Sequence, residues 1–285
     1  MRVTVIISFL FVALSFVACK KTDYAAEVKR LEAAVASDPK AENSAALIKA
    51  YQDFVQNTPN DPQNRAYLSK VADLEVKAGN IDAAVKALSQ SIKSNFDAEK
   101  SKTQVLQLAS ILGEKKDAKA AAPSFLAAFS DPAQLKTMGP QLIATSRTKS
   151  FDTTTQRLDK AAAANYVNVT ELYAHAFPKE ASNAEQLFKV AEIANILGKH
   201  DRALAIYNTI LADYPNYEKM PQAMFLKGYT LDTHMKKFND AKLAYEAFLA
   251  KYPEDNFAES TKFLIKNLGK PDAEIIEGFT KQGKK

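Results

Sequence analysis

The sequence predicts an all-α protein made of stacked helix pairs. Two observations carry that expectation. The first is composition: 47 Ala and only 8 Gly among 285 residues favour helix and disfavour a Gly-rich nucleotide fold or a β-sandwich. The second is self-similarity. Shifted by 119 residues, Leu68, Lys70, Val71, Ala72, Asp73 and Leu74 fall on Leu187, Lys189, Val190, Ala191, Glu192 and Ile193. Pro59, Gly79, Asp82 and Ala84 fall on Pro178, Gly198, Asp201 and Ala203. The chain therefore reads as two similar halves, about 23–130 and 142–253.

The segments follow in order. Met1-Arg2 and the apolar run Val3 to Val17 are too short to span a bilayer and have the form of a secretory signal. The run ends Phe16-Val17-Ala18-Cys19, which resembles the lipobox of bacterial lipoproteins, with Phe16 where Leu is usual. That resemblance implies a signal peptide over 1–18, acyl and diacylglycerol chains on Cys19, and a lipidated tether over 19–22. Two or more chains give a stable anchor. Lys20 after the Cys, rather than Asp, implies the outer membrane, with the protein facing the periplasm or the surface.

Residues 23–130 are expected to form the N-terminal half. Asp61-Pro62 has the form of an N-cap followed by a first helical residue, and Gly79 and Gly113 of helix ends. Pro123 should kink the helix it interrupts. Segment 131–156 is expected to be an irregular junction and hinge, because Asp131-Pro132, Gly139-Pro140 and the Ser/Thr-rich run 145–155 read as breakers. Residues 157–269 should form the C-terminal half. Ser182-x-x-Glu185 and Asn256-x-x-Glu259 resemble capping boxes, Gly198 and Gly269 helix ends, and a capping helix is expected near Asn256–Leu268. Residues 270–285 would be a terminal helix and a basic tail. No stretch shows convincing period-two alternation.

Within the second half a shorter period appears. Tyr207-x-x-Ile210-Leu211-Ala212-x-Tyr214-Pro215 returns 38 residues later as Tyr245-x-x-Phe248-Leu249-Ala250-x-Tyr252-Pro253. This pattern resembles the tetratricopeptide repeat. Ala72, Gly79 and Ala84 fit one copy; Ala191, Gly198, Ala203, Tyr207 and Pro215 a second; Gly228, Ala241, Tyr245 and Pro253 a third, with one extra residue before Ala241. The resemblance implies a right-handed α-solenoid whose first helices line a concave groove. In that register Ser69, Lys70, Asp73 and Lys77 face the groove in the first half, and Phe188, Lys189, Glu192 and Asn195 in the second. The plan is similar to that of repeat lipoproteins of outer-membrane β-barrel assembly and other envelope complexes. It implies envelope proteins or peptide segments as partners.

Catalytic chemistry is not legible. His175, His200 and His234 each stand alone in sequence, so no metal-ligand spacing arises and no metal is expected. The one Cys has no readable His partner, and no phosphate-binding loop is present. The expectation is a non-enzyme with no cofactor beyond the lipid on Cys19. A net charge of +5 is mild, and sparse Arg among the aromatics argues against nucleic acid. The alternative is a nutrient- or glycan-binding surface lipoprotein, which the absence of Trp disfavours.

Overall fold

The computed structural model describes residues 23–94, 96–115, 117–152, 154–271 and 273–274. Cys19, the signal segment, the tether and most of the terminal helix expected after 270 lie outside the described residues. Thirteen α-helices, one π-helical turn and one two-stranded ribbon are the regular elements of the described residues. Contacts divide it into two units, one ending at Pro59 and one beginning at Asn60. The division falls between helix pairs, not at 131–156.

The first unit contains α1 (Tyr24–Ser37) and α2 (Ala41–Asn57), packed as an antiparallel pair. Asp23 caps α1 by accepting from Ala26 N at 3.0 Å. Val28, Leu31, Leu47, Tyr51 and Phe54 are the buried apolar stripe, at the three- and four-residue spacing of an amphipathic helix.

The second unit continues the pairing. α3 (Asn64–Lys77) packs on α4 (Ile81–Lys93). α5 (Ala98–Lys115) precedes the nine-residue α6 (Ala118–Leu126). Pro123 lies within α6 and removes one donor from its ladder, and the helix ends three residues later. α7 (Pro132–Ser150) packs on α8 (Lys160–Ala176), α9 (Ser182–Ile196) on α10 (His200–Asp213), and α11 (Met220–Tyr229) on α12 (Phe238–Lys251). α13 (Ala258–Asn267) covers α12, where the capping helix is expected. Ala72, Ala84, Ala191, Ala203 and Ala241 are fully buried between helices. Small side chains let the paired backbones approach. Tyr207, Tyr245 and Phe248 fill the space beside them, each fully buried.

Four local expectations are corrected. Segment 131–156 is mostly helix. Asp131 accepts from Ala133 N and pairs with Gln134 in a capping box, so Asp131-Pro132 starts α7 rather than breaking the chain. The Thr148 hydroxyl donates to Ala144 O and that of Ser150 to Arg147 O, so these polar residues are absorbed within the helix. Only the ribbon β1 (Phe151–Asp152) and β2 (Arg157–Leu158) follows, an antiparallel pair closed by Asp152 accepting from Thr154 N and Thr155. Gly113 lies inside α5, not at its end: an added Cβ would sit 2.9 Å from Cβ of Asn168 on α8. α3 begins at Asn64, two residues after Pro62, and Asp61 caps the preceding turn through Gln63 N. Neither expected capping box forms at α9 or α13. Ser182 is already helical, and Asp255 rather than Asn256 accepts from Phe257 N.

The extra residue before Ala241 has a structural form. α11 runs directly into a π-helical turn over Thr230–His234, with Met235 N donating to Thr230 O. A π turn holds one residue more than an α turn, so the insertion is absorbed without displacing α12.

Candidate partner-binding face

All eight residues assigned to the groove lie in the second unit, on α3 and α9. On α3 the polar side chains bridge to the first helix of the next pair. Gln104 Nε2 of α5 donates to Ser69 Oγ at 3.0 Å, and Gln107 Nε2 to Asp73 Oδ1 at 2.7 Å. Ser69 and Asp73 therefore set the spacing of α3 and α5. Lys70 holds its ammonium 5.7 Å above the Tyr67 ring, and Lys77 is exposed in the last turn.

On α9 the centre of the face is a residue read as a cap. Glu185 accepts from Tyr217 Oη at 2.6 Å, from Lys219 Nζ at 3.0 Å, and pairs with Lys189 at 3.0 Å. The hydroxyl of Tyr217, with the two lysines, holds its carboxyl down at about 2. Phe188 does not face an open groove. It is 7% exposed, with the Tyr207 and Tyr217 rings at 6.4 and 6.1 Å and the Lys219 ammonium at 5.5 Å. Helical spacing from Lys189 turns it toward the partner helix. Glu192 lies one turn further along, its carboxyl raised above the ordinary range chiefly by desolvation. Asn195 bridges to the following elements, donating to Thr230 Oγ1 at 2.9 Å and meeting His200 Nδ1 at 3.0 Å.

Ser69, Asp73, Asn195 and the groups around Glu185 are thus preordered by their bonds rather than loose. Beside this face, Ile143 and Arg147 of α7, Tyr173 of α8 and Asn183 and Gln186 of α9 line a cavity of about 250 Å³. A larger hollow of about 490 Å³ lies at the turns, between Pro178 and the Tyr214 to Tyr217 segment. Sequence reasoning missed Gln104, Gln107, Glu185, Tyr217 and Lys219. Tyr217 carries a readable signal, two residues past the stop at Pro215. Two of the three histidines are also brought together: His200 and His234 stack at 4.6 Å. Among the described residues no group of three or more His, Cys, Asp or Glu is placed to hold a metal ion. No described helix is long and apolar enough to cross a membrane.

Residues 187–217 and 222–255 match the tetratricopeptide repeat family. The first match runs from Leu187 in α9 through α10 to Tyr217. The second runs from Gln222 in α11 through the π turn and α12 to Asp255. Solved structures to which the chain is similar include the TPR2AB-domain:pHSP90 complex of yeast Sti1, at 16% identity and TM-score 0.30, covering 85% of this chain and 98% of the other. A tetratricopeptide repeat protein from Parabacteroides merdae has 16% identity and TM-score 0.29, covering 85% and 97%. The assembly chaperone of RpL4, Acl4, has 12% identity and TM-score 0.31, covering 92% and 100%. No curated protein matches the chain.

Proposed function

We propose that this chain is a non-catalytic scaffold that holds a segment of another protein along the first helices of its repeats. The observation that carries the reading is the Glu185 hub on α9, which takes in Lys189 and Tyr217 of the adjoining matched repeat. Glu185, Lys189, Tyr217 and Lys219 are ordered by one another before any partner arrives, so a partner meets fixed donors and acceptors and little side-chain entropy is lost on binding. An extended segment offers backbone and side-chain groups that such a polar face can pair. In this reading Cys19 carries the lipid, the protein stands at the outer membrane, and the partners are envelope proteins in the assembly of an outer-membrane complex. The lipobox-like Phe16-Val17-Ala18-Cys19 supports the anchor.

The test is in-cell crosslinking of the tagged full chain, with mass spectrometry of what is captured. Lys70→Glu with Lys189→Glu should lower capture of a defined partner by about tenfold, the equivalent of roughly 1.4 kcal/mol. Cys19→Ala should abolish membrane association and the envelope partners with it. Unchanged capture in the double variant would remove this face. Unchanged membrane association of Cys19→Ala would remove the anchor.

A further inference from the structure

The π turn that absorbs the extra residue also builds a constrained pair of histidines. The Thr230 hydroxyl donates to Leu226 O at 2.8 Å. Its single hydrogen is thereby committed, so its oxygen accepts from Asn195 Nδ2 at 2.9 Å. That fixes the Asn195 amide and turns its oxygen toward His200 Nδ1, 3.0 Å away. His200 Nδ1 therefore carries the proton, and the lone pair of the neutral ring is on Nε2. The His234 ring lies flat on His200, with centroids 4.6 Å apart and planes within 2°. The Tyr229 ring meets His234 edge-on at 5.9 Å. Parallel rings aim their nitrogens side by side rather than at one point, which suits proton sensing and not chelation.

The charged surroundings do not neutralise a doubly charged pair. Lys236 follows His234 on its own turn and disfavours its cation, as does His200. Of the nearby carboxylates, Asp201 of α10 faces Lys237 at 3.8 Å, and Asp232 of the π turn accepts from Tyr245 of α12 at 3.4 Å. Glu114 of α5 pairs with Lys199 at 2.8 Å, and Glu171 of α8 with Arg202 of α10. Each carboxylate already has a partner. Burial, His200 and Lys236 together hold His234 below the ordinary histidine value.

We propose that the stacked His200–His234 pair is a proton-operated joint between the two consecutive repeats, closed while at most one ring is charged and open when both are. One imidazolium over one neutral ring keeps the stack, since a cation sits favourably on an aromatic face. A second proton, taken from solvent by the exposed His234, places two like charges in van der Waals stacking distance. The weak element is the π turn, whose ladder is the least regular in the repeat. Its departure from α10 releases Thr230 from Asn195, and with it the bridge between α9 and α11.

The experiment is histidine-detected NMR on the intact chain from pH 8 to 4.5, with backbone amides followed in parallel. His200 and His234 should titrate in separated steps. His200→Gln should strengthen proton binding at His234 by at least threefold and leave His175 unmoved. The amides of Asn195 and of residues 230–237 should shift together at the second step in the native chain and show no such step in His234→Gln. His234 is exposed, so that variant should fold normally. Independent titration of the two rings would overturn the proposal, as would the same amide transition persisting in His234→Gln.

Discussion

Gly228 on α11 and Tyr245 on α12 share a space that holds one ring and no further methyl. A Cβ at Gly228 would stand 2.5 Å from Tyr245 Cδ1. The ring is fully buried and has no open side to move into. Gly228→Ala should therefore cost about 1–3 kcal/mol, the usual range for overpacking, measured by urea unfolding at constant slope. A loss under ~0.5 kcal/mol would mean that the two helices are further apart than described. Gly139 stands to Tyr173 as Gly228 does to Tyr245, with an added Cβ 2.2 Å from the ring. Sequence alone did not separate the two uses of glycine. In sequence Gly113 has the form of a helix end and Gly139 of a breaker, yet both are close-approach positions inside helices. A glycine letter records that a Cβ is missing, not whether the backbone or a neighbour requires it.

At the scale of the element, helix ends were legible where one residue type decides them. Gly79 and Gly198 have φ of +82° and +75° and close their helices with Asn80 N to Glu75 O and Lys199 N to Ala194 O, both at 2.8 Å. The 119-residue shift predicted their equivalence. α7 was not legible, because its start signal Asp131-Pro132 is written in the same letters as a turn, and only the reciprocal bond with Gln134 distinguishes them. The third repeat gives a test. Lys236 occupies the position of Gly198, 38 residues on, and holds φ +56°. The left-handed conformation costs a non-glycine residue roughly 1–2 kcal/mol, part of which glycine returns through its more mobile unfolded chain. Lys236→Gly should raise stability by about 0.5–1 kcal/mol in denaturant titration. It also removes a cation beside His234, so proton binding at that ring should strengthen in the same variant. A destabilised variant would show that the Lys236 side chain does more than close the turn.

For the whole molecule, the sequence predicted the repeat register and therefore which helices carry the polar face. It did not predict how the face is held. Ser69, Asp73 and Asn195 bond to neighbouring helices, Phe188 is packed away, and the hub is Glu185, because the partners of these side chains come from the next repeat 30 to 40 residues on. The same is true of the buried charge that ties three helices. Arg202 of α10 donates to Glu171 and Asn168 of α8 and to Gly113 O of α5. Glu171 is 4% exposed, and burial pushes its carboxyl up to about 7 despite Arg202. The unfolded carboxyl takes its proton only near 4.5. Between those values the folded chain binds the extra proton, so the Glu171 contribution to stability grows as pH falls from 7 toward 4.5. His175 and His234 act oppositely. Both are held below the ordinary 6.5, so the unfolded chain takes their protons first and stability falls as pH drops below that value. The two effects separate in a comparison of the native chain with Glu171→Gln, because the histidines are common to both. The stability of the native chain relative to Glu171→Gln should rise by about 3 kcal/mol on going from pH 8 to pH 4.5. A relative stability that stays level or falls toward acid would mean that Arg202 keeps Glu171 ionised, and that the ion pair rather than burial governs the α5, α8 and α10 junction.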